Sequence, residues 1–309
     1  MTAARRFTIR VPATSANLGC AFDCAALALG LYLDTTLTTR VDEDEDSTIT
    51  VRYSGPTAER VRQDERNLIA RVIQDRLAEK GNRQGFDLGI QSEIPIGVGL
   101  GSSAAAIVTG LALAAKVLNE APNEAAILKQ ATEREGHPDN VAAAWHGGFV
   151  LAVTDDNEVS TSVAPVPEDL KLVLVVPDFQ LPTEETRRSL PASYSRQDAV
   201  HNLQRATALA AQFFSGKPQL EGFLFDDRWH QPFRARLVPG LEAALAFRHP
   251  SLLGICLSGA GSSVLAFARE RADEIGRAIA ACFENNDIKT QTFFLAPDNR
   301  GAKGWLEEG

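Results

Sequence analysis

A protein of mixed strands and helices, divided into two domains, is what this sequence predicts, and three observations carry that expectation. Short β-branched or alternating runs are interleaved with runs of helical period along all 309 residues. A glycine-rich string, PIGVGLGSSAAA, runs from residue 95 to 106 straight into the most regular helical stretch of the chain. Apolar periodicity then lapses over residues 157–169, NEVSTSVAPVPED, which places a domain boundary there and gives 1–160 and 161–309 as the two parts.

Taken in order, RFTIRV (6–11), LYLDTTLTTRV (31–41), TITVRY (48–53) and FDLGIQ (86–91) have the composition and alternation of strands. The acidic run DEDED at 42–46 reads as a solvated turn between two of them. NLIARVIQDRLAEK (67–80) sets Leu68, Ile69, Val72, Ile73 and Leu77 on one helical face, with Asn67 as cap and Gly81 as stop. SSAAAIVTGLALAAKVL repeats Ile107, Leu111, Ala114 and Leu118 at helical spacing, and NEAAILKQATERE (123–135) is a further helix ended by Gly136. GGFVLAV and LVLVVP read as strands, 183–190 and 196–214 as helices, and 252–257 and 290–296 as strands, with the loop LSGAGSSVLAF between the last two. No internal repeat or low-complexity tract interrupts this order.

Composition narrows the function classes. The chain is 44% hydrophobic and 23% charged, with no apolar run of spanning length. The amino-terminal stretch lacks a signal-peptide core, so a cytoplasmic protein is expected. A net charge of -9 argues against nucleic acid as a partner. Cys20, Cys24, Cys256 and Cys282 have neither zinc-site pairing nor disulfide density; Cys20 and Cys24 stand four apart where a helix could start, but no further ligand completes a metal set.

The glycine string is neither a Walker sequence nor a dinucleotide fingerprint, since no Gly-Lys-Ser/Thr closes it and its glycines alternate. Its position at a helix amino terminus suits an anion: four backbone N–H groups there lack intrahelical partners, the helix dipole is positive, and glycine lets main chain approach closely. A tightly packed turn with no ligand is the other reading of the same residues.

Three separated segments, VPATSANLGCAFDCAALAL, IPIGVGLGSSAAA and LSGAGSSVLAF, resemble the GHMP kinases and come in that family's order across nearly the whole chain. PATSANLG with a following FD, GHPDNVA before GGF, and DRWHQPFR are most similar to the homoserine kinases of that family. Two departures stand out: NLGCAFD where NLGPGFD is usual, and SGAGSS where SGAGPT is frequent; both keep small residues, so altered loop geometry is expected rather than lost chemistry. The resemblance implies an α+β protein of the GHMP kinase fold, with an amino-terminal domain like domain 2 of ribosomal protein S5, a ferredoxin-like carboxy-terminal domain, and an active site in the cleft between them.

What the resemblance implies for chemistry is ATP- and magnesium-dependent phosphorylation of L-homoserine, in a cytoplasmic enzyme of threonine biosynthesis that forms a homodimer. ATP would lie on Pro95, Ile96, Gly97, Val98, Gly99, Leu100, Gly101, Ser102, Ser103, Ala104 and Ala105, with Mg2+ on Ser103 and Glu135. Ser103 as a helix cap, and Glu135 as a solvated helix-end charge, are the structural alternatives, and Glu133 is the weaker metal candidate. The amino acid would meet Asn17, Asp23, His137, Asn140, Thr183, Arg187, Arg234 and Gly259: Asp23 suits the ammonium, Arg187 and Arg234 the carboxylate. Asn140 and Arg187 are the catalytic assignments. An amide at 140 cannot take a proton as an aspartate would, so no dedicated side-chain base is expected, and His146, His201, His230 and His249 receive no catalytic role. A mevalonate-type kinase and a non-catalytic ligand sensor on the same fold are the alternatives.

Overall fold

The computed structural model describes residues 4–40, 47–156, 158–181 and 183–308. The acidic run at 42–46 therefore lies outside the described residues. Two sheets organise the chain. In the first, β1 (Arg6–Ala16) and β2 (Ala25–Thr39) form a long antiparallel pair, β4 (Phe86–Ser92) joins the far side of β2, and β3 (Ile49–Ser54) lies parallel to β4. α1 (Leu68–Glu79) makes the β3-to-β4 crossover that a parallel pair requires. β1 changes register at Pro12/Ala13, where a residue without an N–H is tolerated because the ladder is already broken.

α2 (Ser102–Val117), α3 (Glu124–Glu135) and α4 (Asp139–His146) follow, and α2 is buried almost all round, as expected of a helix with helices and sheet on every side. β5 (Phe149–Asp155) pairs with the beginning of β2, and β6 (Glu158–Ala164) with β5. The short β11 (Glu307–Glu308) returns to the edge of β1.

The second sheet has the order β10-β7-β9-β8 with every pair antiparallel: β7 (Lys171–Pro177), β8 (Leu252–Leu257), β9 (Val264–Ala268) and β10 (Thr290–Leu295). α5 (Thr183–Arg188), α6 (Arg196–Phe214), α7 (Gln231–Arg234) and α8 (Leu241–Leu245) fall between β7 and β8, and α9 (Ala272–Glu284) between β9 and β10. With its helices set aside, this is the split βαβ of a ferredoxin-like unit. One apolar core runs from the first sheet through α2 to one face of the second; a smaller one fills its other face beneath α8 and α9. The halves are joined by stacked aromatics, Phe149 on β5 against Phe213 on α6 at 4.3 Å.

Three segments differ from expectation. Ala25–Gly30, after a suspected helix start at Cys20–Cys24, is the first half of β2; Ala25–Leu29 are fully buried, so no alternation marks them, and their Ala-Leu composition reads as helix. Residues 158–164, where the domain boundary is expected, form β6, a mostly exposed strand whose one apolar face is only Val159 and Val163 with Thr161 between them. VLAFA, read as part of a loop, is the wholly buried β9. Among the described residues no helix is long and apolar enough to cross a membrane.

Candidate functional site: a nucleotide and amino-acid cleft

The loop from Ile94 to Gly101 connects β4 to α2, and Gly97, Gly99 and Gly101 all have left-handed φ values of 78°, 83° and 65°. Gly99 has the strictest need of its glycine, for a Cβ there would meet the Ser258 carbonyl oxygen at 2.1 Å. Ser258 Oγ donates to the Gly99 carbonyl at 2.7 Å and the Ser263 N–H to the Val98 carbonyl at 3.1 Å, so the 258–263 loop clasps the glycine loop. Gly101 caps α2 with no side-chain bond, which leaves the helix's first N–H groups for a ligand. Ile96, Gly97, Gly99, Leu100, Gly101, Ser102 and Ser103 line the cleft. Pro95 has no N–H, Val98 and Ala104 are buried away from it, and the Ala105 N–H is held in the first intrahelical bond to Gly101. Gly99→Ala is expected to abolish nucleotide binding, by forcing a positive φ and a backbone clash together; calorimetric titration with ATP, beside a thermal melt to show the fold retained, checks it.

Ser103 is exposed and does not cap the helix; its Oγ donates to Glu135 Oε1 at 2.6 Å. Glu135 is brought there because α3 stops at Gly136, whose φ of 88° turns the chain toward α4. Glu133 is exposed. A hydroxyl and a carboxylate oxygen so close are donors that suit a hard divalent cation keeping its waters and phosphate ligands. Among the described residues no group of three or more His, Cys, Asp or Glu side chains could hold a metal alone, and burial pushes the Cys20 and Cys24 thiols up to about 12 and about 11.

At the other end, β1 runs out into Asn17 and Leu18, and Asn17 (φ 71°) and Asp23 (φ 54°) both have left-handed backbones. Asn17 Oδ1 accepts from the Asp23 N–H at 2.9 Å and its Nδ2 donates to the Gly259 carbonyl at 3.0 Å, fixing the turn against the second half of the chain. Arg187, on α5, forks onto Asp23 with both bonds at 2.9 Å, and this hydrogen bonding, against burial, raises its pKa. The two residues assigned to opposite ends of the amino acid are thus each other's partner. The side chain of Thr183 lies outside the description; Arg188 is exposed. Arg234 is 2% exposed, and burial first, then the charge of Arg187, lowers its pKa to about 10, so it remains a cation at neutral pH.

His137 Nδ1 is 2.7 Å from Asp139 Oδ1. Burial lowers its pKa, but the Asp139 hydrogen bond and charge, with Glu135 and Asp23, outweigh that and raise it. Asn140 Oδ1 accepts from Thr14 Oγ1 at 2.7 Å, leaving its amide nitrogen for a ligand. The cleft that unites Asn17, Asp23, Glu135, His137, Asn140, Arg187, Arg234 and Gly259 with the glycine loop has a volume of about 490 Å³. Sequence reasoning missed Thr14, Asp139, Phe22, whose ring lies 5.6 and 5.3 Å from the Arg187 and Arg234 guanidinium carbons, and a wall made by Tyr53, Arg60, Asn67 and Leu68. Thr14, Phe22 and Asp139 stand inside strings quoted above; the wall belongs to no motif.

The chain is similar to known proteins along nearly its whole length. The family model described as GHMP kinases N terminal domain matches residues 67–148, and that described as GHMP kinases C terminal matches 207–285. The chain is 38% identical over 300 residues to the homoserine kinase of Solibacter usitatus, covering 96% of each, and 36% identical over 296 residues to that of Carboxydothermus hydrogenoformans, covering 95% of each. The crystal structure of homoserine kinase from Cytophaga hutchinsonii superposes with a TM-score of 0.82 at 25% identity, covering 100% of this chain and 98% of that one. Fold and full-length similarity together place the chain in the GHMP kinase family, among its homoserine kinases.

Proposed function

We propose that the cleft transfers the γ-phosphoryl group of ATP to the side-chain hydroxyl of L-homoserine, giving O-phospho-L-homoserine for threonine synthesis. The observation that carries this reading is the meeting of two unlike ends in one cleft: a glycine loop at the start of α2 beside the Ser103–Glu135 oxygens, and a pocket with one carboxylate and two guanidiniums, Asp23, Arg187 and Arg234. Backbone N–H groups of Gly97 and of residues 99–103 would hold the phosphates. Ser103 and Glu135 would hold Mg2+, which supplies charge neutralisation at the phosphates. Asp23 takes the ammonium and Arg234 with Arg187 the carboxylate, so the zwitterion divides an ion pair that the free protein closes on itself. The Asn140 amide nitrogen, turned by Thr14, would donate to the acceptor or the transferring group.

No side chain is left over as a dedicated base: in this reading the cleft's carboxylates are committed, Asp23 to the ammonium, Glu135 to the cation and Asp139 to His137. Asn140 is an amide and cannot take the proton, and His137 Nδ1 is already engaged by Asp139 Oδ1 at 2.7 Å. The acceptor proton then leaves late, to the phosphoryl oxygens or to water. A division near residue 160, a homodimer and a cytoplasmic location belong to the same reading. Coupled ADP release with homoserine, mevalonate, galactose and threonine offered in turn is expected to be fastest with homoserine by a wide margin. Equal or faster turnover of mevalonate would sink the assignment, and no turnover with any of them would revive a ligand sensor.

A further inference from the structure

We infer that His230 is a positioning residue that aims Arg234 at the substrate carboxylate; this rests on the reading of the cleft as a homoserine site. Nη1 of Arg234 donates to the Gly259 carbonyl at 3.0 Å and lies 3.2 Å from His230 Nδ1, while Nε is buried without a partner. With both Nη1 protons taken inside the protein, the edge left open is that of Nε and Nη2, the pair that meets a carboxylate side-on through two parallel bonds. The buried Nε is a donor with no acceptor among the described residues, and the ligand carboxylate supplies one.

The tautomer of His230 follows from its neighbours. Its Nε2 is 2.7 Å from the Gly19 carbonyl, which can only accept, so Nε2 carries the proton and Nδ1 is bare toward Arg234. Burial holds the imidazole pKa below its ordinary value; the Asp227 carboxylate opposes this and the Arg234 charge adds to it. A protonated ring could not accept from a guanidinium, so neutral His230 and charged Arg234 require each other.

Asp227 holds the histidine in place. It accepts from the backbone N–H groups of Trp229, His230 and Gln231 at 2.8, 2.9 and 2.6 Å, and from Asn202 Nδ2 at 2.7 Å. Asn202 Nδ2 also donates to the Cys20 carbonyl at 3.1 Å. The successive carbonyls of Gly19 and Cys20, in the loop that carries Asn17 and Asp23, are thereby tied to the turn that carries Arg234. This lattice sets the span between the ammonium partner and the carboxylate partner, and with it the length of amino acid that fits.

The test is a double-mutant cycle on the full-length enzyme, reading the Michaelis constants for homoserine and ATP separately. His230→Leu is expected to raise the homoserine constant about tenfold or more, as removal of a hydrogen bond to a charged group does, with the ATP constant moved by less than about twofold. His230→Gln, whose amide can donate to Gly19 and accept from Arg234, recovers part of the loss, and it carries the comparison if the leucine variant melts early. His230→Leu added to Arg234→Lys is expected to cost little beyond Arg234→Lys alone, because the histidine acts through that guanidinium. Additive losses, equal weakening of both substrates, or an unchanged homoserine constant in the folded His230 variants overturns the inference. If Arg234→Lys itself leaves the homoserine constant unchanged, the carboxylate assignment of Arg234 fails instead.

Discussion

Arg234→Ala is expected to lower kcat/KM for homoserine by a factor of about 30 to several thousand, the equivalent of about 2 to 5 kcal/mol for loss of a charge-assisted contact to a buried carboxylate. The effect is large because Arg234 is 2% exposed and its buried Nε has no acceptor among the described residues, so part of the cost of its burial is repaid only on binding. The loss should appear in the homoserine Michaelis constant, with ATP binding little changed, since Arg234 reaches the 258–263 loop only at the Gly259 carbonyl while Ser258 and Ser263 make the bonds to the glycine loop. Arg234→Lys should restore only part: an ammonium carries the charge but not the planar fork. Steady-state kinetics with each substrate varied in turn, beside a thermal melt, decide it. A folded Arg234→Ala enzyme with its homoserine constant intact would move the carboxylate to Arg187 alone.

Arg187 itself shows why a site can be legible in its members and not in its connections. The strings that hold Asn17, Asp23, His137, Asn140, Arg187 and Arg234 are short and local, and it is their resemblance to a family pattern that picks each residue out. What each one touches depends on contacts that cross the chain: 164 residues separate Asp23 from Arg187, 126 separate Thr14 from Asn140, and 211 separate Gly19 from His230. No periodicity reports such pairings. The same limit explains the wall at Tyr53, Arg60, Asn67 and Leu68, which comes from β3, a turn and the start of α1, segments whose composition serves the fold as well as any ligand.

For the fold, half-buried elements announced themselves and elements buried or exposed on both faces did not. α1 and α6 have one apolar side, which is what a helical period measures. The first half of β2 is covered on both faces and so does not alternate, while β6 alternates only weakly, with Val159 half-buried and most of the strand exposed, so neither carries a clear strand signal. The glycine loop was legible for a different reason: three glycines with positive φ meet at a helix start, and the backbone need is written into residue type.

Glu135→Gln is expected to cut turnover by about 10² to 10³ fold at low magnesium, on the scale of losing one electrostatic contact to a transition state. The geometry that motivates this is narrow: one hydroxyl and one carboxylate, 2.6 Å apart at the exposed mouth of α2, with no third titratable ligand among the described residues. A cation held by so few protein groups depends on the single negative charge among them, and an amide of the same shape keeps the hydrogen bond to Ser103 while removing that charge. The fold should therefore survive, and raising magnesium should return part of the activity by mass action. Ser103→Ala should weaken turnover less, because a neutral hydroxyl is the poorer ligand, and the double variant should lose less than the product of the single losses, since both side chains act through one ion. Turnover measured as a function of magnesium at saturating ATP separates these outcomes. If both single variants keep wild-type turnover at low magnesium, the Ser103–Glu135 pair is a structural hydrogen bond and the ion is held by other groups.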